Sequence, residues 1–242
     1  MATYRDAGIV LRTRKLGEAD RIVTLLTREH GKVRAVAKAV RRTRSKFGAR
    51  LEPFAHVDLQ FYEGRNLDVV TQAETLAAYG RPIAADYRRY TAASALVEAA
   101  DKFSPVERHP ARALFRLTLG AVAAVARGAR RPGAVLDSYL LRGLALAGYA
   151  PALGDCAVCG LPGPHRAFAA SAGGMVCAAC RPPGAAAPAP AAVALLGALL
   201  EGDWAAVAAA PAPAGEEAAG LVGAFAQYHM ERAIKALRLV ER

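Results

Sequence analysis

All four cysteines of the chain fall in one window, and their spacing constrains the fold more than any other feature. Cys156 and Cys159 form one C-x-x-C pair, Cys177 and Cys180 form a second, and residues 160–176 separate the two. Each pair can place two thiolates on one metal ion, and the loop between them lets the second pair complete a tetrahedron. This pattern predicts one structural Zn²⁺ with no coordination position left for a catalytic water.

Two other uses of the cysteines stay open at this point: a pair of structural disulfides, or a redox-active C-x-x-C. Disulfides belong to oxidising compartments, and the N-terminus has neither the apolar segment nor the cleavage pattern of a secretory signal. Nothing typical of a thioredoxin surrounds either pair. We therefore expect a cytoplasmic chain with a zinc-ribbon-like module at about residues 153–182, in which His165 and Arg166 are solvated.

The first 80 residues have the alternating pattern of β-strands. Ile9 and Leu11 are expected on one face of the first strand, and Arg12 and Arg14 on the other. Short turns separate five predicted strands, at residues 7–15, 21–27, 32–40, 57–62 and 67–76. Five strands in so short a stretch are typical of an OB-fold barrel.

Helical periodicity replaces alternation after Gly80. Tyr87, Tyr90 and Phe103 are the large candidate core residues of the first predicted helix. The predicted helices cover residues 84–102, 110–127, 132–147, 191–201 and 216–240, with a linker at 182–190 and a low-complexity break at 205–215. The fold class is α+β: an OB-fold domain over residues 1–80, then a helical domain over 81–242 that carries the cysteine module.

A run of positive charge lies on the predicted barrel. The chain has a formal net charge of +11, and no acidic residue occurs between Glu29 and Glu52. That stretch carries eight cations: Lys32, Arg34, Lys38, Arg41, Arg42, Arg44, Lys46 and Arg50. Such a run attracts polyanions. A solvated basic face, or attachment to anionic lipid, is the alternative, although no apolar segment is clean enough to span a bilayer.

Catalytic signatures are missing from the sequence. None of the five histidines has a recognisable catalytic spacing, and the chain has no G-x-G-x-x-G, Walker, G-x-S-x-G or H-E-x-x-H motif. Glu18 and Asp20 are the closest approach to a magnesium-binding carboxylate pair, and they are more simply a turn. The sequence favours binding over enzymatic activity.

Several ordered segments resemble the DNA repair protein RecO family. They are DAGIVL (6–11), LGEADR (16–21), LTREHGK (26–32), KAVRR (38–42), SKF (45–47), LEPF (51–54) and LALAGYAP (144–151) leading to CAVCG (156–160). One departure is Ala39, because the family often has glycine before its basic pair. Alanine is expected to require a more ordinary backbone there, which changes the path of the loop that follows.

The resemblance implies an N-terminal OB-fold, a helical C-terminal domain and, in many members, a zinc site. It also implies a recombination mediator, associated with the nucleoid, that binds single- and double-stranded DNA and anneals complementary strands. Its implied partners are RecR and single-stranded-DNA-binding protein, and through them the RecA recombinase, which it helps to load. No membrane partner is implied.

We expect the phosphate-binding groove to lie on the first and third strands and the loop that follows. Its predicted residues are Arg12, Arg14, Lys15, Arg34, Lys38, Arg41, Arg42, Arg44, Lys46 and Arg50. Cations that displace condensed counterions make affinity depend on salt and little on base sequence. Phe47 and Tyr62 are the aromatic candidates for base stacking, and Phe47 is equally well explained as a core residue.

A second surface is predicted at Arg127, Arg130 and Arg131, which flank an apolar helix end and could receive an acidic, hydrophobic peptide tail. A solvated helix terminus is the simpler explanation. Two other function classes stay open. One is a zinc-ribbon protein whose OB-fold acts on RNA, and the other is a nuclease with an unfamiliar metal site.

Overall fold

The computed structural model describes residues 2–230 and 234–240, which form two compact units, residues 1–129 and 130–242. The first unit contains five strands and three helices. They are β1 (Thr3–Leu16), β2 (Asp20–Thr27), β3 (Gly31–Ala37), β4 (Ala55–Tyr62), β5 (Asp68–Ala78), α1 (Gly80–Ala84), α2 (Tyr87–Phe103) and α3 (Arg112–Arg127), with a 3-10 turn at Gly48–Leu51. The strands close a barrel in the order β1-β2-β3-β5-β4. All pairs are antiparallel except β3 with β5.

The predicted five-strand fold is therefore confirmed, and alternation explains its core. Val23 and Leu25 of β2, and Val33 and Ala35 of β3, point into the barrel. The first strand breaks this alternation, because the register shifts between Val10 and Arg12. Ile9 pairs with Leu26 and Arg12 with Thr24, two residues apart on β2, so Ile9 and Arg12 lie on the same face and the two-face prediction for this strand was wrong.

Helices of the same unit cover part of the barrel. Helix α2 packs on β1, and α3 packs on β2 and α2, which buries outward-facing Leu26. The segment between α2 and α3 then approaches β3 so closely that a side chain on Gly31 would collide with the carbonyl of His109, 1.8 Å from its Cβ. Arg108 donates its amide to the Lys32 carbonyl at 2.9 Å. The unit is thus longer than the predicted 1–80 domain, whose boundary stays a prediction.

Two tyrosines of α2 differ from expectation. Tyr87 and Tyr90 were candidate core residues, but their side chains are exposed. The buried stripe of α2 consists instead of small and aliphatic residues, among them Ala92, Leu96 and Ala99. The tyrosines lie in the first turn, where that stripe has not yet begun.

The second unit is mainly helical. Its elements are α4 (Pro132–Leu146), β6 (Ala167–Ala169), β7 (Gly174–Val176), α5 (Pro190–Glu201), α6 (Trp204–Ala209) and α7 (Ala212–His229), with 3-10 turns at Ala170–Ala172 and Lys235–Leu239. Helix α7 packs against α4 and α5. Among the described residues, no helix combines the length and apolar character that crossing a bilayer requires.

Two sequence predictions in this unit need correction. The predicted low-complexity break at 205–215 is mostly helical, because it holds most of α6 and the start of α7, which begins at Ala212 and not at 216. The Asp203 carboxylate accepts the amides of Ala205 and Ala206 and caps the first turn of α6. The predicted helix at 216–240 ends at His229, since Met230 is extended. Residues 231–233 of that prediction lie outside the described residues.

Candidate nucleic-acid interface and metal centre

The loop after β3 is fixed to the β1–β2 turn by its backbone. Ala39 donates its amide to the Asp20 carboxylate at 2.7 Å, and the Arg41 amide donates to the Ala19 carbonyl at 2.9 Å. The Arg41 guanidinium adds a 2.7 Å bond to the Glu18 carbonyl. The acidic Glu18-x-Asp20 pair is therefore a turn that supports the basic loop.

Two apolar side chains hold the loop to the barrel core. Val40 and Phe47 are both buried in the barrel core cluster. Phe47, at 1 % exposure, has no face available for a base, so its core interpretation is confirmed. Lys46 donates to the Thr71 carbonyl at 2.9 Å, and Arg50 donates to the Lys46 carbonyl at 2.6 Å.

The cations of this loop, and Lys38 two residues before Val40, face solvent. Lys38, Arg42 and Arg44 are exposed, and none of them pairs with a carboxylate of the described residues. Arg14 and Lys15, on the strand that leads into the supporting turn, are likewise exposed and without a described ion pair. The positive charge of all five side chains is therefore not offset by a described ion pair.

In contrast, the predicted cations Arg12 and Arg34, on the outer face of β1 and β3, form ion pairs with carboxylates. Arg12 and Arg34 flank Thr24 in one cross-strand row. Arg12 pairs with Asp101 of α2 at 3.2 Å, and Arg34 pairs with Glu107 at 2.5 Å. Lys32, which also belongs to the basic run, is buried and pairs with Asp101 at 3.1 Å. The structure therefore divides the predicted groove into an unpaired loop and a neutralised strand face.

A polar network around Asp68 was not predicted from the sequence. Asp68 is buried and accepts the Tyr4 hydroxyl at 2.5 Å and the Arg108 guanidinium at 2.6 Å. Burial, followed by the bond to Asp68, raises the pKa of Tyr4 far above its ordinary value. The network positions Arg108, which is held at a φ of 57°. Its members are far apart in sequence, which is why no motif revealed them.

The four cysteines converge in the second unit. Their sulfur atoms all lie within 4.8 Å of one another, and each is a free thiol. Cys156 and Cys177 are buried, Cys180 is half-buried and Cys159 is exposed. This donor set fits a tetrahedral metal ion.

Local turns bring each pair together. Gly160 has a φ of 71° and donates its amide to the Cys156 carbonyl at 2.9 Å, closing the first turn. The Cys180 amide closes the second turn on the Cys177 carbonyl at 3.2 Å. The antiparallel hairpin of β6 and β7 spans the sequence between them and returns the chain to the first pair.

The surroundings of the sulfur atoms shift the pKa values of two cysteines in opposite directions. Backbone amides of Cys159 and Cys177 lower the pKa of Cys156 to about 6. Hydrogen bonds with the Cys177 and Cys159 thiols, and then burial, raise the pKa of Cys180 to about 12. A bound cation would favour ionisation of all four thiols.

The predicted partner residues lie at exposed positions. Arg127 ends α3. In the second unit, the Arg130 guanidinium stacks 4.1 Å from the centre of the Trp204 ring, and Arg131 is exposed just before α4. No described feature distinguishes a peptide site there, so this site stays a prediction.

Together, these features define the class of protein: an α+β protein with an N-terminal five-stranded barrel and a mainly helical second part that carries a four-cysteine cluster. Comparison with known proteins gives its family. Residues 1–79 match the family described as recombination protein O N terminal, and residues 84–238 match recombination protein O C terminal. The chain is 60 % identical over 242 residues to the DNA repair protein RecO of Thermobifida fusca, and 55 % identical over 248 residues to that of Streptomyces coelicolor. Both matches cover the whole of each chain.

The chain therefore belongs to the RecO family, and its role lies in DNA repair and recombination. The resemblance predicted from the sequence is confirmed.

Proposed function

We propose that this protein is a non-enzymatic recombination mediator. It binds single- and double-stranded DNA, anneals complementary strands and, with RecR, helps to load RecA onto DNA coated by single-stranded-DNA-binding protein. One observation carries the DNA-binding part: the loop between Val40 and Phe47 is fixed at both ends and presents cations that no described carboxylate neutralises.

The unpaired cations explain how annealing could occur without chemistry. Lys38, Arg42 and Arg44 can bind phosphates and release condensed counterions. The charge of each strand is then reduced while its bases remain free to pair. Arg14, Lys15, Arg41, Lys46 and Arg50 extend the same contact, and Arg12 and Arg34 join it when DNA competes with their carboxylate partners.

A charge-matched comparison tests the interface. Replacing Lys38, Arg42 and Arg44 with alanine should weaken DNA binding tenfold or more at low salt, and reduce the salt slope by about two to three. Arg116, Arg166 and Arg181 are exposed elsewhere, and their triple alanine variant removes the same charge. If both variants lose affinity equally, net charge rather than the loop controls binding.

The mediator role has its own assay. Two complementary oligonucleotides should anneal faster with the protein, without ATP, both free and when coated by single-stranded-DNA-binding protein. Binding without faster annealing would contradict the mediator role, and a strong preference for structured RNA would favour the RNA-binding alternative. Magnesium-dependent cleavage of labelled DNA would contradict non-enzymatic action.

We further propose that Cys156, Cys159, Cys177 and Cys180 hold one Zn²⁺ with a structural role. The ion would stabilise a module whose core consists of small residues such as Ala167, Ala169 and Val176. Metal analysis of protein purified under reducing conditions should give about one equivalent of zinc per chain. Folded protein without metal would overturn the assignment.

The site for the acidic tail of single-stranded-DNA-binding protein is proposed at Arg127, Arg130 and Arg131. Reversing all three charges should abolish binding of a tail peptide. Unchanged peptide binding would remove this site and leave the DNA interface unaffected.

A further inference from the structure

Two exposed tyrosines stand in the first turn of α2. Tyr87 is 63 % exposed and Tyr90 is 49 % exposed. Because residues three apart are neighbours on a helix surface, the two rings lie on adjoining positions of one face. A large aromatic ring at this exposure is a surface feature that the fold of α2 does not require.

The platform formed by these rings is held to the barrel. The Tyr90 ring meets the Phe54 ring edge-on, with 6.1 Å between centroids and an angle of 87° between planes. Phe54 is itself buried, and its amide donates to the Val10 carbonyl of β1 at 2.9 Å. The helix start is also fixed, since the Asp86 carboxylate accepts the Arg89 amide at 2.9 Å. Tyr90 is thus oriented by a rigid neighbour.

The charge around the rings is positive. Residues 79–90 contain three arginines and one aspartate, and that aspartate, Asp86, caps the helix. The exposed residues next to the tyrosines in sequence are Arg81, Ala84, Ala85, Asp86 and Arg88, so the rings are not part of an aliphatic patch that would suit a hydrophobic protein partner. Aromatic faces among cations are the chemistry that binds single-stranded nucleic acid.

The basic loop cannot supply this stacking itself. Phe47 is its one aromatic residue, and it is buried in the core. Phe54, whose ring Tyr90 contacts, follows the loop cation Arg50 by four residues, so a short segment of chain joins the platform to the end of the cationic loop.

We propose that Tyr87 and Tyr90 stack unpaired bases of a single strand whose phosphates bind the loop cations. This inference rests on the proposed function. It adds a base-contacting surface that distinguishes single-stranded from double-stranded DNA, since paired bases cannot expose their faces to the rings.

The test compares two fluorescently labelled probes, oligothymidylate and an abasic oligomer of the same length and charge. The native protein should bind oligothymidylate more tightly. Tyr87→Ala and Tyr90→Ala should each weaken oligothymidylate binding by about fivefold or more, while abasic binding and the salt slope stay unchanged. Phenylalanine at either position should retain the preference, because stacking needs the ring and not the hydroxyl.

Tyr228→Ala is the matched control, because Tyr228 is 59 % exposed on α7; it should leave both probes unaffected. Thermal unfolding checks that the variants fold, and Tyr87→Ala removes no described ring contact. If both alanine variants bind oligothymidylate like the native protein, the platform is overturned. That outcome differs from failure of the proposed function, in which the Lys38, Arg42 and Arg44 triple variant would bind both probes normally.

Discussion

Ala39 shows how a single residue stores strain at the start of the basic loop. Its φ is 55°, in the left-handed region that places Cβ close to the following carbonyl oxygen. The conformation is maintained by the bond from its amide to Asp20 and by burial of Val40 directly after it. Alanine thus takes the backbone that glycine would favour, and the expectation of a more ordinary backbone was wrong.

Ala39→Gly should therefore stabilise the protein. Relief of left-handed strain gives about 1–2 kcal/mol, and the larger conformational freedom of glycine in the unfolded chain removes about 0.4–1 kcal/mol of this. The expected net gain in unfolding free energy is about 0.5–1 kcal/mol, measured by urea titration.

Ala49→Gly serves as the comparison, because Ala49 is exposed within the 3-10 turn Gly48–Leu51. That change should lower stability, since glycine gains only unfolded-state freedom there. Equal destabilisation by both changes would show that the Ala39 backbone carries no strain.

His56 links stability to pH. It lies on β4, with 6.1 Å between the centroids of its ring and that of Phe115. Burial, and then the positive charge of Arg28, lowers the pKa of His56 below its ordinary 6.5. The unfolded chain consequently binds more protons just below pH 6.5, so stability is lost as the pH falls from there through the folded-state pKa.

Unfolding free energy should accordingly decrease more steeply below about pH 6.5 in the native protein than in His56→Gln. The difference in slope is at most about 1.4 kcal/mol per pH unit for one proton. Comparing the two proteins by urea titration isolates His56, because every other titrating group is shared. Parallel pH profiles would show that His56 does not contribute.

At the scale of elements, the C-terminal end of α2 and the segment after it supply the barrel with two carboxylates. Asp101 neutralises Arg12 and Lys32, and Glu107 neutralises Arg34. A phosphate that approaches Arg34 must therefore compete with an internal carboxylate. The free loop and the neutralised strand face differ in charge although the sequence predicted them as one groove.

Glu107→Gln should release Arg34 and increase DNA affinity several-fold at low salt. The salt slope should rise by up to about 0.9, corresponding to one additional phosphate contact. Glu201→Gln provides the matched control, because it makes the same change in net charge at an exposed position of α5. Anisotropy titrations that respond equally to both variants would assign the effect to net charge.

The elements themselves were largely predictable because their signals are local. Local apolar patterns and the turn residues between them identified all five strands, and the cysteine spacing identified the cluster of sulfur atoms. The ion pairs were not predictable, because Arg34 and Glu107 belong to elements far apart in sequence and neither residue type specifies its partner. Helix α6 was missed for a different reason: its alanines resemble a linker, and the decisive signal was the capping carboxylate of Asp203.

At the scale of the whole molecule, the cationic loop and the cysteine cluster lie in different compact units. The loop is held by barrel contacts such as those of Val40 and Phe47, all within residues 1–129. The cluster is surrounded by its own small core in residues 130–242. The charge run and the cysteine spacing predicted both features, whereas the extent of the first unit, with α2 and α3 packed on the barrel, emerges only from tertiary packing.

Removing the proposed zinc should consequently lower the thermal stability of the second unit and leave DNA affinity nearly unchanged. Chelation under reducing conditions leaves four neighbouring thiols with little apolar core to hold them, so the second unit should unfold at a lower temperature. The loop contacts of the first unit do not include the cluster, and affinity for oligothymidylate should stay within about twofold.

Calorimetry and anisotropy on the same sample measure both quantities, and Cys177→Ser should reproduce the effect of chelation. Restoring zinc should reverse the shift for the native chain but not for the variant. A parallel loss of DNA affinity would show instead that the metal supports the interface itself.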